Sequence, residues 1–182
     1  MGAIRPGGGG GGGGIGGGGD GSLSNEVQGA LLSRIFGVPV VLLDPAVMLI
    51  ECNDLATTPL GAAFVYDDEA LTLTLDADID INGEADPGEE FALNARFLFH
   101  FLVGDSERSG VFDLIDFGED GVRPPQWRRA TDMDATGDLV AGLTVPVPGD
   151  GGATVLQRMT TPGPYTLDTT QLHFSQLTAA TS

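Results

Sequence analysis

Lysine does not occur anywhere in this chain of 182 residues; its positive charge comes from 8 arginines set against 26 Asp and Glu. A formal net charge of -18 and a pI near 4.1 exclude a phosphate-binding surface of the usual kind, because nucleic acid is held by a basic face. The same charge disfavours anionic membranes. Without lysine there is also no P-loop, whose lysine reaches the β- and γ-phosphates. The missing lysine fits two origins. One is a GC-rich genome, and the other is an acidic protein adapted to salty water, where screening weakens self-repulsion.

Cysteine is nearly as scarce. Cys52 is the only one, so no disulfide forms within the chain, and its apolar surroundings predict a buried small side chain. His100 and His173 are the only histidines, too few for a histidine-rich metal site, and neither adjoins a nucleophile in a motif. Both are expected at surface or inter-strand positions. No long apolar run is present either. Residues 38–50 are apolar, but Pro39, Asp44 and Pro45 interrupt them, so they are too short to span a bilayer. The start of the chain has Arg5 and then glycines, with no apolar segment of the secretory kind, which predicts no signal peptide.

Glycine is abundant, with 29 residues, many of them in the run PGGGGGGGGIGGGGDG at 6–21. Polyglycine has nothing to bury and a high entropic cost of ordering. It serves as a flexible linker, or it packs where backbones approach too closely for any side chain, as at a crowded multi-chain axis. The run contains G-x-G-x-x-G trivially. A dinucleotide fingerprint needs a preceding strand, and only five residues stand before Pro6.

Residues 24–36, SNEVQGALLSRIF, predict a helix. Ser24 or Asn25 caps it, Glu26 suits the first turn, Gly37 suits the C′ position and Pro39 prevents continuation. Val27, Ala30, Leu31 and Ile35 share one face at helical spacing. That face must dock on the chain's own sandwich, on a copy of itself or on a neighbouring protein.

Beyond residue 38 the punctuation changes to short apolar runs broken by Gly, Pro, Asp and Asn. Strands are expected at 40–43, 47–51 and 62–66. In LTLTLDADIDI, residues 71, 73, 75, 77, 79 and 81 are apolar and alternate with Thr and Asp, which predicts a long half-buried strand. In FALNARFLFHFLV, Phe91, Leu93, Ala95, Phe97, Phe99, Phe101 and Val103 form one face, with Asn94, Arg96 and His100 on the other. The two strands flank a Gly/Pro loop and are expected to pair as a long hairpin. Further strands at 111–117, 139–147, 154–159 and 165–174 complete about eight or nine. No second helix pattern is present. The fold expected is therefore mainly β: an antiparallel, jelly-roll-like β-sandwich. It divides into an arm at 1–22, a helix at 23–37, first strands forming an anchor at 38–66 and the sandwich at 67–182.

Two constellations carry chemistry. Asp78, Asp80, Asn82, Gly83 and Glu89 in DIDINGEADPGE match the calcium-loop pattern D-x-[DN]-x-[DN]-G-x5-E. Ca²⁺ takes clustered oxygen ligands, a glycine at the sharp turn and a distal bidentate carboxylate. The flanks are strands rather than the helix pair of an EF-hand, and loop position eight is Ala85. The alternative is a wet strand face of Asp76, Asp78 and Asp80 with an Asn82-Gly83 hairpin connection. The second constellation is RPPQWRR, with Arg123, Trp127, Arg128 and Arg129, the only basic cluster. Trp and Arg are favoured at interface hot spots, which makes this segment a candidate partner surface alongside Val27, Leu31 and Ile35. The alternative is a loop whose arginines pair with Asp116, Glu119 and Asp120. Paired carboxylates are too abundant in this background to mark a glycosidase-like site.

The last forty or so residues read GDLVAGLTVPVPGDGGATVLQRMTTPGPYTLDTTQLHFSQLTA. This rhythm of strand, Gly-Asp turn, apolar strand, Pro/Gly turn and final strand resembles the closing strands of tumour-necrosis-factor-like trimeric jelly rolls, which recur as heads of bacteriophage fibres and virion appendages. The resemblance covers about a quarter of the chain. It implies a homotrimer whose N-terminal arm attaches to other virion proteins, and a virion or extracellular location. The helix and the strands at 38–66 depart from that pattern. The function expected is a non-enzymatic virion structural protein of a bacteriophage or archaeal virus, a fibre or spike head or a capsid decoration protein. Alternatives are a calcium-dependent extracellular β-sandwich module and, third, a hydrolase with a carboxylate site. No cofactor is expected apart from Ca²⁺ at the 78–89 loop.

Overall fold

The computed structural model describes residues 23–81 and 91–178. The expected glycine-rich arm lies outside them, as do Asn82, Gly83, Ala85 and Glu89 of the acidic loop.

The helix forms where capping and spacing place it. α1 spans Asn25–Phe36, and Ser24 is its N-cap, its hydroxyl accepting from the Val27 N–H. Glu26 sits in the first turn and Arg34 in the last, where each complements the helix dipole. Gly37 ends the helix at φ 70°, in the left-handed region.

Ten strands follow among the described residues: β1 Val41–Leu42, β2 Met48–Cys52, β3 Phe64–Asp67, β4 Thr72–Leu75, β5 Arg96–Phe101, β6 Gly110–Asp116, β7 Gln126–Arg129, β8 Leu143–Pro148, β9 Thr154–Met159 and β10 Phe174–Gln176. They make two sheets, one of four strands in the order β1-β8-β9-β10 and one of six in the order β2-β5-β6-β7-β4-β3. The molecule is a mainly β sandwich with one α-helix among the described residues, and one of its sheets is curled into a half-barrel. β1 pairs with β8 and β2 with β5 in parallel, while the remaining pairings are antiparallel. Residues 38–66 do not stand apart from the sandwich, because β1, β2 and β3 are edge strands of its two sheets.

Two apolar clusters flank the six-stranded sheet. One draws from both sheets and includes Leu98, Val111, Met133, Leu143, Val145, Met159 and Phe174. The other fills the curl and includes Ile50, Phe64, Leu73, Leu75, Phe97, Phe99, Phe112, Leu114 and Trp127. β5 is therefore covered on both sides. Phe97, Phe99 and Phe101 face the curl, and Leu98 and His100 are buried on the other side. The expected wet face of Arg96 and His100 is thus an inner face. Asn94, at φ 67°, belongs to the exposed turn before the strand, and Leu93 is exposed there too.

The expected hairpin between 71–81 and 91–103 does not form. β4 and β5 lie in the same sheet, but β6 and β7 stand between them. Nor does the alternating run at 71–81 remain a strand to its end. β4 has partners only over 72–75, in β3 and β7. On the β7 side Pro124-Pro125 offers no N–H, so the ladder closes with the Leu75 N–H donating to the Pro125 carbonyl at 3.2 Å. Alternation supplies a face, but a strand also needs a neighbour to bond with. The same limit trims 139–147 to β8, and of the expected strand at 165–174 only Phe174 lies in a strand, β10. Residues 126–129, expected in a loop or a partner surface, instead form β7 in the interior of the six-stranded sheet.

Candidate functional site

α1 docks through small and polar groups. Gly29 is its buried residue, and a Cβ there would come within 2.9 Å of the Val40 carbonyl oxygen. Ser33 accepts from the Val40 N–H at 2.9 Å and donates to the Gly29 carbonyl at 2.8 Å. Asn25 donates to the Asp44 carboxylate at 2.7 Å. These contacts fix which side of the helix faces the sandwich. The apolar face read from the sequence points the other way: Val27 and Leu31 are each 45% exposed and Ile35 is 71% exposed. Of the three docking options, the described part of the chain's own sandwich leaves these residues exposed.

The basic cluster separates into surface and interior. Arg123 is exposed and pairs with Asp116, with Nε 3.1 Å from Oδ1, and with Glu119. These pairs raise the Arg123 pKa, the hydrogen bond with Asp116 most of all, and the Gly118 N–H ahead of Arg123 holds the Asp116 carboxyl below its ordinary range. The pairing expected with neighbouring carboxylates thus forms, with Asp120 engaged elsewhere: its carboxylate accepts from the Asp80 N–H at 2.9 Å. Arg128 is exposed on β7. Trp127 and Arg129 are buried and cannot anchor a partner. Alternation along β7 turns both into the curl, where Trp127 packs edge-to-face against Phe64, Phe97 and Phe99.

Arg129 anchors a cluster that sequence spacing did not reveal. Its side chain is fully buried, with the guanidinium 4.8 Å from the centre of the Phe112 ring. It donates to the Ser109 carbonyl at 3.2 Å, to the Arg108 carbonyl at 3.4 Å, to the Tyr66 hydroxyl at 3.4 Å and to Asp168 Oδ1 at 2.8 Å. The Tyr66 hydroxyl donates to Asp168 Oδ2 at 2.8 Å, and Arg108 lies over the Tyr66 ring with Nη1 3.3 Å from Asp168 Oδ1. Burial is the main force raising the Tyr66 pKa, so the phenol remains a donor. One carboxylate therefore serves two guanidiniums and a phenol. Arg129 and the Tyr66 hydroxyl donate to the Asp168 carboxylate, and Arg129 also to backbone carbonyls, while Arg108 Nη1 approaches Asp168 as a charge pair without a hydrogen bond; together they make the cluster a clamp between the 166–169 turn and the six-stranded sheet. Only the pairing of Asp168 with residues 102 and 39 positions away creates it, and no local motif marks such a contact.

His100 is likewise structural. Its Nε2 accepts from the Phe174 N–H at 3.3 Å, and Nδ1 lies 3.7 Å from Glu51. Burial lowers its pKa; Glu51 opposes this and His173 adds to it. With Nε2 occupied by a backbone N–H, the imidazole is not placed to take a proton from a nucleophile. Cys52 is buried and its thiol pKa is pushed up to about 12, chiefly by burial, the opposite of an activated thiol.

Of the acidic loop, Asp78 and Asp80 are described. The Asp78 carbonyl accepts from the Gly121 N–H, which ties this segment to the 117–121 turn. Gly118 makes the approach feasible: at φ 80°, a Cβ there would lie 2.0 Å from the Ile79 carbonyl oxygen. Among the described residues no three Asp, Glu, His or Cys side chains converge as a metal site. Within the curl, Met48, Ile50, Leu60, Ile81, Phe91, Phe97 and Trp127 surround a cavity of about 60 Å³. That is room for about two waters and not for a metabolite. Among the described residues no helix is long and apolar enough to cross a membrane.

The chain matches no family model, no curated protein and no solved structure.

Proposed function

We propose that this chain is a non-catalytic structural subunit of a virion, a fibre head or capsid decoration protein, held in its assembly by its N-terminal segment. The observation that carries the reading is the two-sided helix. α1 is fixed to β1 through Gly29 and Ser33, yet it turns Val27, Leu31 and Ile35 to solvent. Burying a branched aliphatic side chain is worth about 1.5–3 kcal/mol, so a rigidly mounted row of three is a ready contact surface. Its position directly after the glycine-rich segment puts both at the same end of the sequence. At the other end, β8, β9 and β10 are successive antiparallel neighbours over the stretch that resembles trimeric jelly-roll heads. The sandwich would face outward while the N-terminal segment attaches.

The test is to label gradient-purified particles from the source organism with antibody against the sandwich and to quantify the chain in them by mass spectrometry. Regular surface labelling at fixed stoichiometry is expected. A chain confined to the soluble fraction refutes the reading.

A further inference from the structure

The outward side of α1 carries two adjacent rows at i, i+4 spacing. Val27, Leu31 and Ile35 form one row and Glu26, Ala30 and Arg34 the other, and all six are exposed. The second row is acidic at its N-terminal end, small at its centre and basic at its C-terminal end. Such a row is complementary to itself when reversed.

We propose that this face pairs with the same face of a second copy, as an antiparallel helix pair about a two-fold axis. The inference rests on the reading of α1 as an assembly element and names its partner. With Ala30 at the axis, Glu26 and Arg34 lie four residues to either side. Glu26 of each copy then meets Arg34 of the other, and symmetry makes the contact twice. Antiparallel helices bring like flanks together, so the charged row meets itself. Parallel helices bring opposite flanks together and leave Glu26 without Arg34. The apolar row behaves in the same way, with Val27 opposite Ile35 and Leu31 near the axis. Ala30 admits the close axial approach of about 8 Å found where contact residues are small. The antiparallel arrangement also sets the helix dipoles head to tail. Three-fold symmetry cannot place two copies of one helix antiparallel about a shared axis, so this contact gives a dimer and not the trimer that the jelly-roll resemblance implies. One 12-residue helix per copy is a small interface, which puts the dimer in the concentration-dependent range.

The experiment is sedimentation of the full chain over a concentration series, with the intact fold checked by Trp127 fluorescence. A monomer–dimer equilibrium is expected. Either E26R or R34E alone should weaken it about ten-fold, the sum of two exposed ion pairs. A one-to-one mixture of E26R with R34E should form a heterodimer at near wild-type strength, because each supplies the charge the other lacks. L31D should abolish the dimer without unfolding the chain, since Leu31 is solvent-exposed. A chain that is monomeric throughout, a trimer, or a dimer indifferent to these substitutions overturns the proposal. Particle incorporation is read separately. A monomer found in particles sinks the dimer and leaves the proposed function standing, while a dimer absent from particles does the reverse.

Discussion

Replacing Asp168 by asparagine tests the buried clamp with the least change of shape. Asp168 holds φ 55°, a left-handed conformation that Asn tolerates as well as Asp does, so D168N removes charge without adding backbone strain. Among the described residues, this carboxylate is the only anion paired with a guanidinium whose side chain is fully buried, at 2.8 Å from Arg129 Nη2. Removing one partner of such a pair costs about 3–5 kcal/mol because the remaining charge stays buried. Two features pull the value to the low end. Arg129 keeps two backbone carbonyls, and the amide oxygen of Asn can still accept a hydrogen bond. About 3 kcal/mol is therefore expected. With a urea m-value of about 2 kcal/mol per M, the midpoint should fall by about 1.5 M. Trp127 is the only tryptophan and is buried, so its fluorescence reports the transition directly. The double variant R129M/D168N should cost less than the sum of its singles by about 1–2 kcal/mol, because with Met at 129 the loss of the carboxylate no longer leaves a buried guanidinium unpaired. A D168N midpoint within about 0.2 M of wild type at unchanged m would refute the clamp.

Glycine to alanine in a helix interior ordinarily stabilises by about 1 kcal/mol, but G29A should destabilise by about 1–3 kcal/mol, because its Cβ would press on the Val40 carbonyl; thermal melts followed by circular dichroism give the sign. His100 has a lowered pKa in the folded protein, so the unfolded chain binds more protons as pH falls below about 6.5. Its contribution to stability is complete above that pH and lost on acidification; wild type should therefore lose stability relative to H100Q between neutral and mildly acidic pH, and parallel curves would contradict this. Cys52 should resist a thiol reagent at mildly alkaline pH and react with one equivalent once denaturant is added; fast native labelling would show that the strand opens readily.

The sequence disclosed whatever depends on near neighbours. The boundaries of α1 follow from Ser24, Glu26, Gly37 and Pro39, whose effects act within one turn. Short apolar runs with Gly, Pro and Asp between them gave the mainly β sandwich, and β9 lies where its run of residues does. The apolar row of Val27, Leu31 and Ile35 was also legible, because helical spacing alone puts those residues on one face.

What the tertiary structure decided was which faces are covered and which strands are neighbours. Alternation in 71–81 and 91–103 predicts one buried face and one wet face in a hairpin; β5 is instead buried on both sides, because one sheet curls over a core while the other sheet packs on its back. The Trp and Arg of RPPQWRR suggest a partner surface or a paired loop, yet β7 turns Trp127 and Arg129 inward, where distant Asp168 neutralises the charge. The helix shows the same division in one element. Composition marks its apolar row, but Gly29 and Ser33 choose the side that docks, because only there does the backbone of residue 40 come close enough to exclude a side chain. Local sequence fixes dihedral angles and periodicity, whereas burial depends on chain segments a hundred residues apart, and no local pattern records which of them will meet.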